Sequence, residues 1–327
     1  MTQLDRMTEL ARLLDDGARF DAEYRAGLSN HLPMALLALH RLGAPGPRLQ
    51  AFAARYACRL EPAPLPLSWS GTEPWVARLG QRAAWPAYRT LFGQWLARSG
   101  NAAVLEEALP ELMRGCGAAA FHGLIRSACA LQTGHAGELA DGLAYWACRH
   151  LPLGPAPLGQ EPDPSRLLSA LQAGLGGWTS EQGLIFQRMA DAAAVPAFAR
   201  TVARLRVGPD TLGVLALQAA ALYAASGNFT AMHLVTSAHA MRLLLPYVGQ
   251  PLLAVGHYWC AFAAGFVASG ALAAGTAPLL PWQQLVAAAV QSDDEHLVKV
   301  VYSCREQERA CGGAVWRLAA SRALAPQ

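Results

Sequence analysis

Within Gln291-Ser-Asp-Asp-Glu-His-Leu-Val-Lys299 stand the side chains of both a helix start and a metal site. Ser292 with Glu295 three residues on is a capping-box spacing, so a helix is expected from about Asp293. Its acids then lie in the first turn, where the positive end of the helix dipole favours them. His296 and Lys299 fall three apart on one face of that helix. Upstream, Leu243 to Gln291 contains no Asp, Glu, Lys or Arg. A helix starting beside so much apolar chain is expected to pack into a core, and a histidine and a lysine facing a core need an explanation.

Two more histidines sit in similar places, and a third lies on another apolar helix. His31 follows Asn30, a capping residue, and precedes Pro33, which suits a first helical turn. His233 follows the cap candidate Asn228, and His122 lies on an apolar helix with Arg126 one turn later. Imidazolium is disfavoured near a helix N-terminus, so such rings stay neutral and free to ligate. Alone, each is more often a core histidine bonded to a neighbour. Together they suit an imidazole-rich metal site. His239, six residues after His233, points about 120° away on the same helix. His40, His135 and His150 are expected at the solvent-facing ends of helices, and His257 in the core.

Two readings of Lys299 stay open. In one it pairs with Glu295, four residues back. In the other, burial lowers its pKa, and the free amine takes up carbon dioxide to become a carbamate that supplies a carboxylate ligand.

The elements that must position these residues are almost all helical. Apolar residues recur with helical periodicity, and alternating strand-like runs are nearly absent. Hairpins are expected over Ala118 to Ala147, turning at Thr133-Gly134, over Thr211 to Leu245, turning at Ser226-Gly-Asn228, and again around Ser292. The expected architecture is all-α, a single domain over residues 1–327 built from antiparallel helical hairpins, with a Pro-rich loop near 151–164. The aromatic segment Trp69, Trp75, Trp85, Tyr88, Phe92 and Trp95 reads as core or lid packing, or as the wall of a flat aromatic site.

The hydrophobic fraction is 53% and the charged fraction 15%, so several helices must be nearly enclosed. Scattered arginines argue against a nucleic-acid surface. Pro251 to Pro281 is uncharged and long enough to span a bilayer, but it lacks flanking Lys or Arg and reads as a buried helix, so no membrane is expected. The seven cysteines show no CxxC spacing, and the N-terminus is charged, so a reducing, cytoplasmic setting is expected. No GxGxxG, P-loop, GxSxG or HExxH occurs.

Ser29-Asn-His-Leu-Pro-Met34, Phe121-His-Gly-Leu-Ile-Arg126, Leu143-Ala-Tyr-Trp-Ala147, Asn228 to Ala240 and Asp293-Asp-Glu-His-Leu-Val-Lys299 together resemble the questin oxidase-like family, over about residues 20–310. The resemblance implies an all-α oxidoreductase whose fungal relatives open a ring of anthraquinone-type polyketides, chemistry first assigned as Baeyer–Villiger. It also implies non-haem iron (Fe) held by histidines and a carboxylated lysine. Carried over, His31, His122, His233 and His296 match the histidines and Lys299 the lysine, with His239 an alternative to His233 and otherwise an acid–base catalyst. The expected partners are an aromatic small molecule and dioxygen, and a homo-oligomer is allowed. Two other classes stay open: an oxidase borrowing NADPH or flavin without a bound metal, and a non-enzymatic helical scaffold.

Overall fold

Periodic apolar positions fold into helices nearly everywhere the pattern predicts them. The computed structural model describes residues 3–69, 72–270, 275 and 278–325. Helix accounts for 69% of the chain, so the fold is all-α. Its helices are α1 (Gln3–Gly17), α2 (Leu32–Leu42), α3 (Gly46–Ala57), α4 (Trp85–Arg114), α5 (His122–Thr133), α6 (Ala136–Cys148), α7 (Pro164–Leu175) and α8 (Ile185–Ala193). They continue as α9 (Pro196–Val202), α10 (Thr211–Ser226), α11 (Phe229–Leu244), α12 (Pro251–Ser269), α13 (Trp282–Gln291), α14 (Glu295–Cys311) and α15 (Val315–Arg322). A two-residue antiparallel hairpin, β1 (Glu23–Tyr24) with β2 (Leu28–Ser29), precedes α2. Buried apolar residues form one continuous core from Leu10 to Ala320.

The α5–α6 hairpin carries one site histidine and is packed unusually closely. A Cβ on Gly123 would lie 2.6 Å from the Trp146 Cα, and one on Gly142 would lie 2.9 Å from the Ser127 backbone nitrogen. Both neighbours are backbone atoms, which cannot rotate away. Gly123→Ala is therefore expected to cost about 1–3 kcal/mol of stability by overpacking, despite alanine's better helix propensity. Urea unfolding measures it, and a variant as stable as the parent would show that the helices separate freely. Beneath the hairpin, Arg126 is clamped by Glu138 at 2.6 and 2.8 Å and reaches Asp141 at 3.4 Å; Arg89 also holds Asp141.

Helix α12 is long and apolar enough to cross a membrane, yet 72% of its most apolar window is buried among the other helices. It serves as a core helix here. Of the uncharged stretch that continues to Pro281, residues 271–274 and 276–277 lie outside the described residues. The Pro-rich stretch 151–164 is strapped onto the fold, with Leu151 bridged to Cys116 and Glu161 to Leu205.

The structure corrects several local expectations. Helix α14 starts at Glu295, capped by Asp294, whose carboxylate accepts from the His296 and Leu297 amides; Ser292 instead bonds the Asp294 amide. Trp85 to Gly100 is helical, broken from the rest of α4 by Gly100 at φ 75°. Trp85, Tyr88 and Phe92 share its buried face at helical spacing, and their burial overrides the weak helix propensity of aromatic residues. Helix α15 was not expected. His40 is buried, His135 is half-buried and caps α6, and the half-buried His150 reaches the Glu111 carbonyl, so none of the three is simply solvent-facing.

Candidate metal centre

Residues Ala119, Ala120 and Phe121 form a left-handed turn, with φ of 45°, 55° and 69°. Each non-glycine residue in that conformation costs roughly 1–2 kcal/mol. The turn delivers His122 at the start of α5 and aims the Ala119 carbonyl at its Nδ1, 2.5 Å away. Strain of this kind collects where a backbone must hold a side chain in one pose.

Three other helix starts converge on His122. His31 precedes α2, His233 lies in the second turn of α11, and His296 opens α14. The ring centroids of His31 and His122 are 4.6 Å apart, those of His31 and His296 are 4.6 Å apart, and those of His122 and His233 are 5.0 Å apart. Ligand atoms of His31, His122 and His233 all lie within 4.8 Å of one another, as do those of His31, Glu295 and His296.

The hydrogen bonds of these rings decide what they can do. The Nδ1 of His31 meets the Ser29 carbonyl at 2.6 Å, and the Nδ1 of His233 meets the Phe229 carbonyl at 2.8 Å. A carbonyl can only accept, so each Nδ1, including that of His122, carries its proton. Each Nε2 therefore presents a lone pair, an arrangement that metal-binding histidines use to fix tautomer and orientation. Yet the Nε2 atoms of His31 and His122 are only 2.8 Å apart. Two lone pairs at that distance repel unless a cation lies between or beside them. For metal–nitrogen bonds of about 2.0–2.1 Å, adjacent octahedral donors would be about 2.9 Å apart, so this spacing suits two ligands of one ion.

Electrostatics point the same way. Burial, then the Lys299 charge and the neighbouring imidazoles, hold His31 well below its ordinary pKa. His122 and His233 are likewise held well below theirs, burial again being the largest cause. His296 is lowered by burial despite Asp294 and Glu295 near its Nδ1, at 3.5 and 3.8 Å. The four rings are neutral donors.

Lys299 lies on α14, 4% exposed, and its charge lowers all four imidazoles. Burial brings its own pKa down to about 8, partly countered by Glu295. Of the two readings of Lys299, the ion pair with Glu295 does not form. Glu295 pairs instead with Arg59 at 3.3 Å, and among the described residues no carboxylate lies within 4.0 Å of the Lys299 amine.

The imidazoles line one end of a cavity of about 560 Å³. Leu28, Ser29, Ala119, Ala120, Leu184, Ile185, Phe186, Arg188 and Phe229 make up most of its other walls. Phe229 stacks edge-on against His233 and His296 at 4.9 and 4.8 Å while half exposed, covering the cluster at the mouth. His239 is not part of this wall. It lies buried against Tyr302, beside Arg242, and burial drops its pKa to about 3. It is thus His233, and not His239, that joins the other three rings, and the acid–base role expected of His239 finds no geometric support. The aromatic segment from Trp69 to Trp95 packs on itself and lines none of this cavity.

A sequence model of the questin oxidase-like family matches residues 28–304. The chain belongs to the questin oxidase-like family. Among curated proteins nothing matches it. Membership in a questin oxidase-like family implies an oxidase or oxygenase, an oxidoreductase by class. The matched span contains His31, His122, His233, His296 and Lys299. It also contains residues that sequence reasoning passed over. Arg188, in the wall, lay in no motif; Phe229, the cover, lay within the Asn228 to Ala240 motif but was given no role; and Glu295 was read as a capping residue and as a partner for Lys299, not as a ligand.

Proposed function

We propose that this questin oxidase-like protein is a dioxygen-using non-haem iron oxygenase acting on a phenolic or quinone-like substrate of polyketide type. The observation that carries the reading is the 2.8 Å approach of the His31 and His122 Nε2 lone pairs, each aimed by an Nδ1–H bond to backbone. His31, His122, His233 and His296 would hold the iron through neutral imidazole, with Lys299 as a carbamate supplying the anionic oxygen. When bound, iron supplies the redox chemistry that dioxygen needs to react with an aromatic ring.

The chain's own residues account for the remaining tasks. Ser29, Ala119 and Phe229 carbonyls keep the Nδ1 protons in place, so that Nε2 alone ligates. Leu28, Ile185, Phe186 and Phe229 give the cavity apolar walls that grip flat rings and exclude water. Lys299, with its amine pKa near 8, has roughly a tenth of its population neutral at pH 7. In that form the nitrogen bonds to the carbon of carbon dioxide and releases one proton to solvent. The product is an anion amid neutral imidazoles, where the ammonium was a cation.

A second source of the anionic ligand is favoured by one observation: a Glu295 carboxylate oxygen lies within 4.8 Å of ligand atoms of His31 and His296. The test separates the two. Protein expressed with iron available is expected to hold near-stoichiometric iron. Equilibrated with ¹³C-bicarbonate, it should give a carbamate carbon signal that Lys299→Met abolishes. Well-folded protein without metal would return the field to an NADPH- or flavin-borrowing oxidase or a scaffold. Iron without a carbamate signal, lost on Glu295→Gln, would assign Glu295.

A further inference from the structure

We infer that Arg188 is the substrate-recognition residue of the cavity, taking an anionic oxygen, carboxylate or phenolate, borne by an aromatic substrate. The inference rests on the reading of this cavity as the substrate site. Arg188 lies on α8 and forms part of the cavity wall together with Leu184, Ile185 and Phe186. Its Nε is buried without a hydrogen-bond partner, and its Nη2 donates only to Thr230 Oγ1, at 3.3 Å. No carboxylate lies within 4.0 Å of the guanidinium among the described residues.

Four other partly or fully buried guanidiniums are paired with acids, whereas Arg317, away from this cavity, also has a buried Nε without a hydrogen-bond partner. Arg126 has Glu138 and Asp141, Arg89 has Asp141, and Arg82 and Arg149 share Glu23. A guanidinium in a cavity wall without an acid of its own matches a carboxylate or phenolate oxygen in charge, and its planar fork matches a carboxylate in shape. No acid in the cavity competes for it: the lining contains no Asp or Glu. With the Arg188 guanidinium in the wall and no acid beside it, an anion is the ligand charge that this wall stabilises. Apolar side chains around the guanidinium strengthen the attraction by limiting water, and they suit the rings that carry the anionic group.

The test uses metal-free, chelator-treated protein, so that no ion can capture the anion. Calorimetry compares 2-naphthoate with its methyl ester, and 2-naphthol with its methyl ether. The parent is expected to bind the acid member of at least one pair tenfold or more tightly. Preference in the first pair assigns carboxylate, and preference in the second assigns phenolate. Arg188→Gln should erase the preference without weakening the neutral ligand, and Arg188→Lys should keep part of it. Equal binding of acid and neutral forms by the parent, no binding of either, or a preference that survives Arg188→Gln would overturn the inference. If Arg188→Gln does not fold, Arg188→Lys decides, since an unchanged preference there would exclude fork-shaped recognition. Metal content is measured on separate, untreated samples. A parent without metal that still prefers the acid would sink the iron reading alone, while an iron-replete parent indifferent to charge would sink only the Arg188 assignment.

Discussion

His122→Ala protein, expressed with iron available, is expected to emerge with iron at background, whereas His239→Ala keeps the parent's content. The difference follows from where the two lone pairs point. His122 aims its Nε2 at that of His31, and its Nδ1 proton is committed to the Ala119 carbonyl. His239 is equally buried, but it faces Tyr302 and the Arg242 guanidinium, outside the cluster. Changing the outer partners of metal ligands costs about 10–100-fold in affinity, and removing a ligand should cost at least as much. Melting gives a second readout, because an ion that binds only the native state at 100 times its Kd stabilises it by about 2.7 kcal/mol. Ferrous ion should therefore raise the melting temperature of metal-free parent and His239→Ala protein, and leave that of folded His122→Ala unchanged. Iron retained by His122→Ala, or lost from His239→Ala, would mean that the cluster is a set of packed core histidines.

Much of that cluster could be read from the chain because its parts obey local rules. Asn228 caps α11 through the Thr230 and Ala231 amides as its position predicts, and His31, His233 and His296 lie close to helix N-termini, which keeps imidazole neutral. The choice between His233 and His239 was not legible. Both stand on one apolar helix, and only the packing of α11 against its neighbours decides which side meets the other rings. The left-handed turn at Ala119-Ala120-Phe121 left no trace either, since alanine favours right-handed helix and its strain is offset by contacts distant in sequence. Arg188 was invisible for a related reason. An arginine on a short helix reads as solvated surface, and only the assembled cavity shows it without an acid. The helix at Trp85 to Gly100 was hidden by composition, as aromatic residues and Gly93 have weak helix propensity until a core pays for them.

The largest loss of stability is expected from Arg126→Met, at about 3–5 kcal/mol near neutral pH, because it breaks a buried ion pair from one side. Arg126 is 3% exposed, and its bidentate bond to Glu138 ties α5 to α6 one turn after His122. Burial alone would lower the Arg126 pKa, but Glu138 and Asp141 hold it above its ordinary value. With methionine in its place, Asp141 keeps Arg89, whereas Glu138 is left in the interior without an arginine. Burial already pushes the Glu138 pKa upward with Arg126 present, and without that cation it rises further. A carboxyl whose folded pKa exceeds its unfolded value loses no stability below the unfolded value, about 4.3, where both states are protonated. As pH climbs through the window between the two values, the folded state pays progressively for either a buried charge or a retained proton. The deficit of Arg126→Met relative to the parent should therefore shrink on going from pH 7 to pH 5, and Arg126→Met/Glu138→Leu should recover much of it at pH 7, since an apolar pair can replace a buried ion pair at little cost. Urea unfolding of the metal-free proteins at both pH values measures this. A deficit that is the same at pH 5 and pH 7, and unrelieved by Glu138→Leu, would show that Arg126 acts through packing and not through charge.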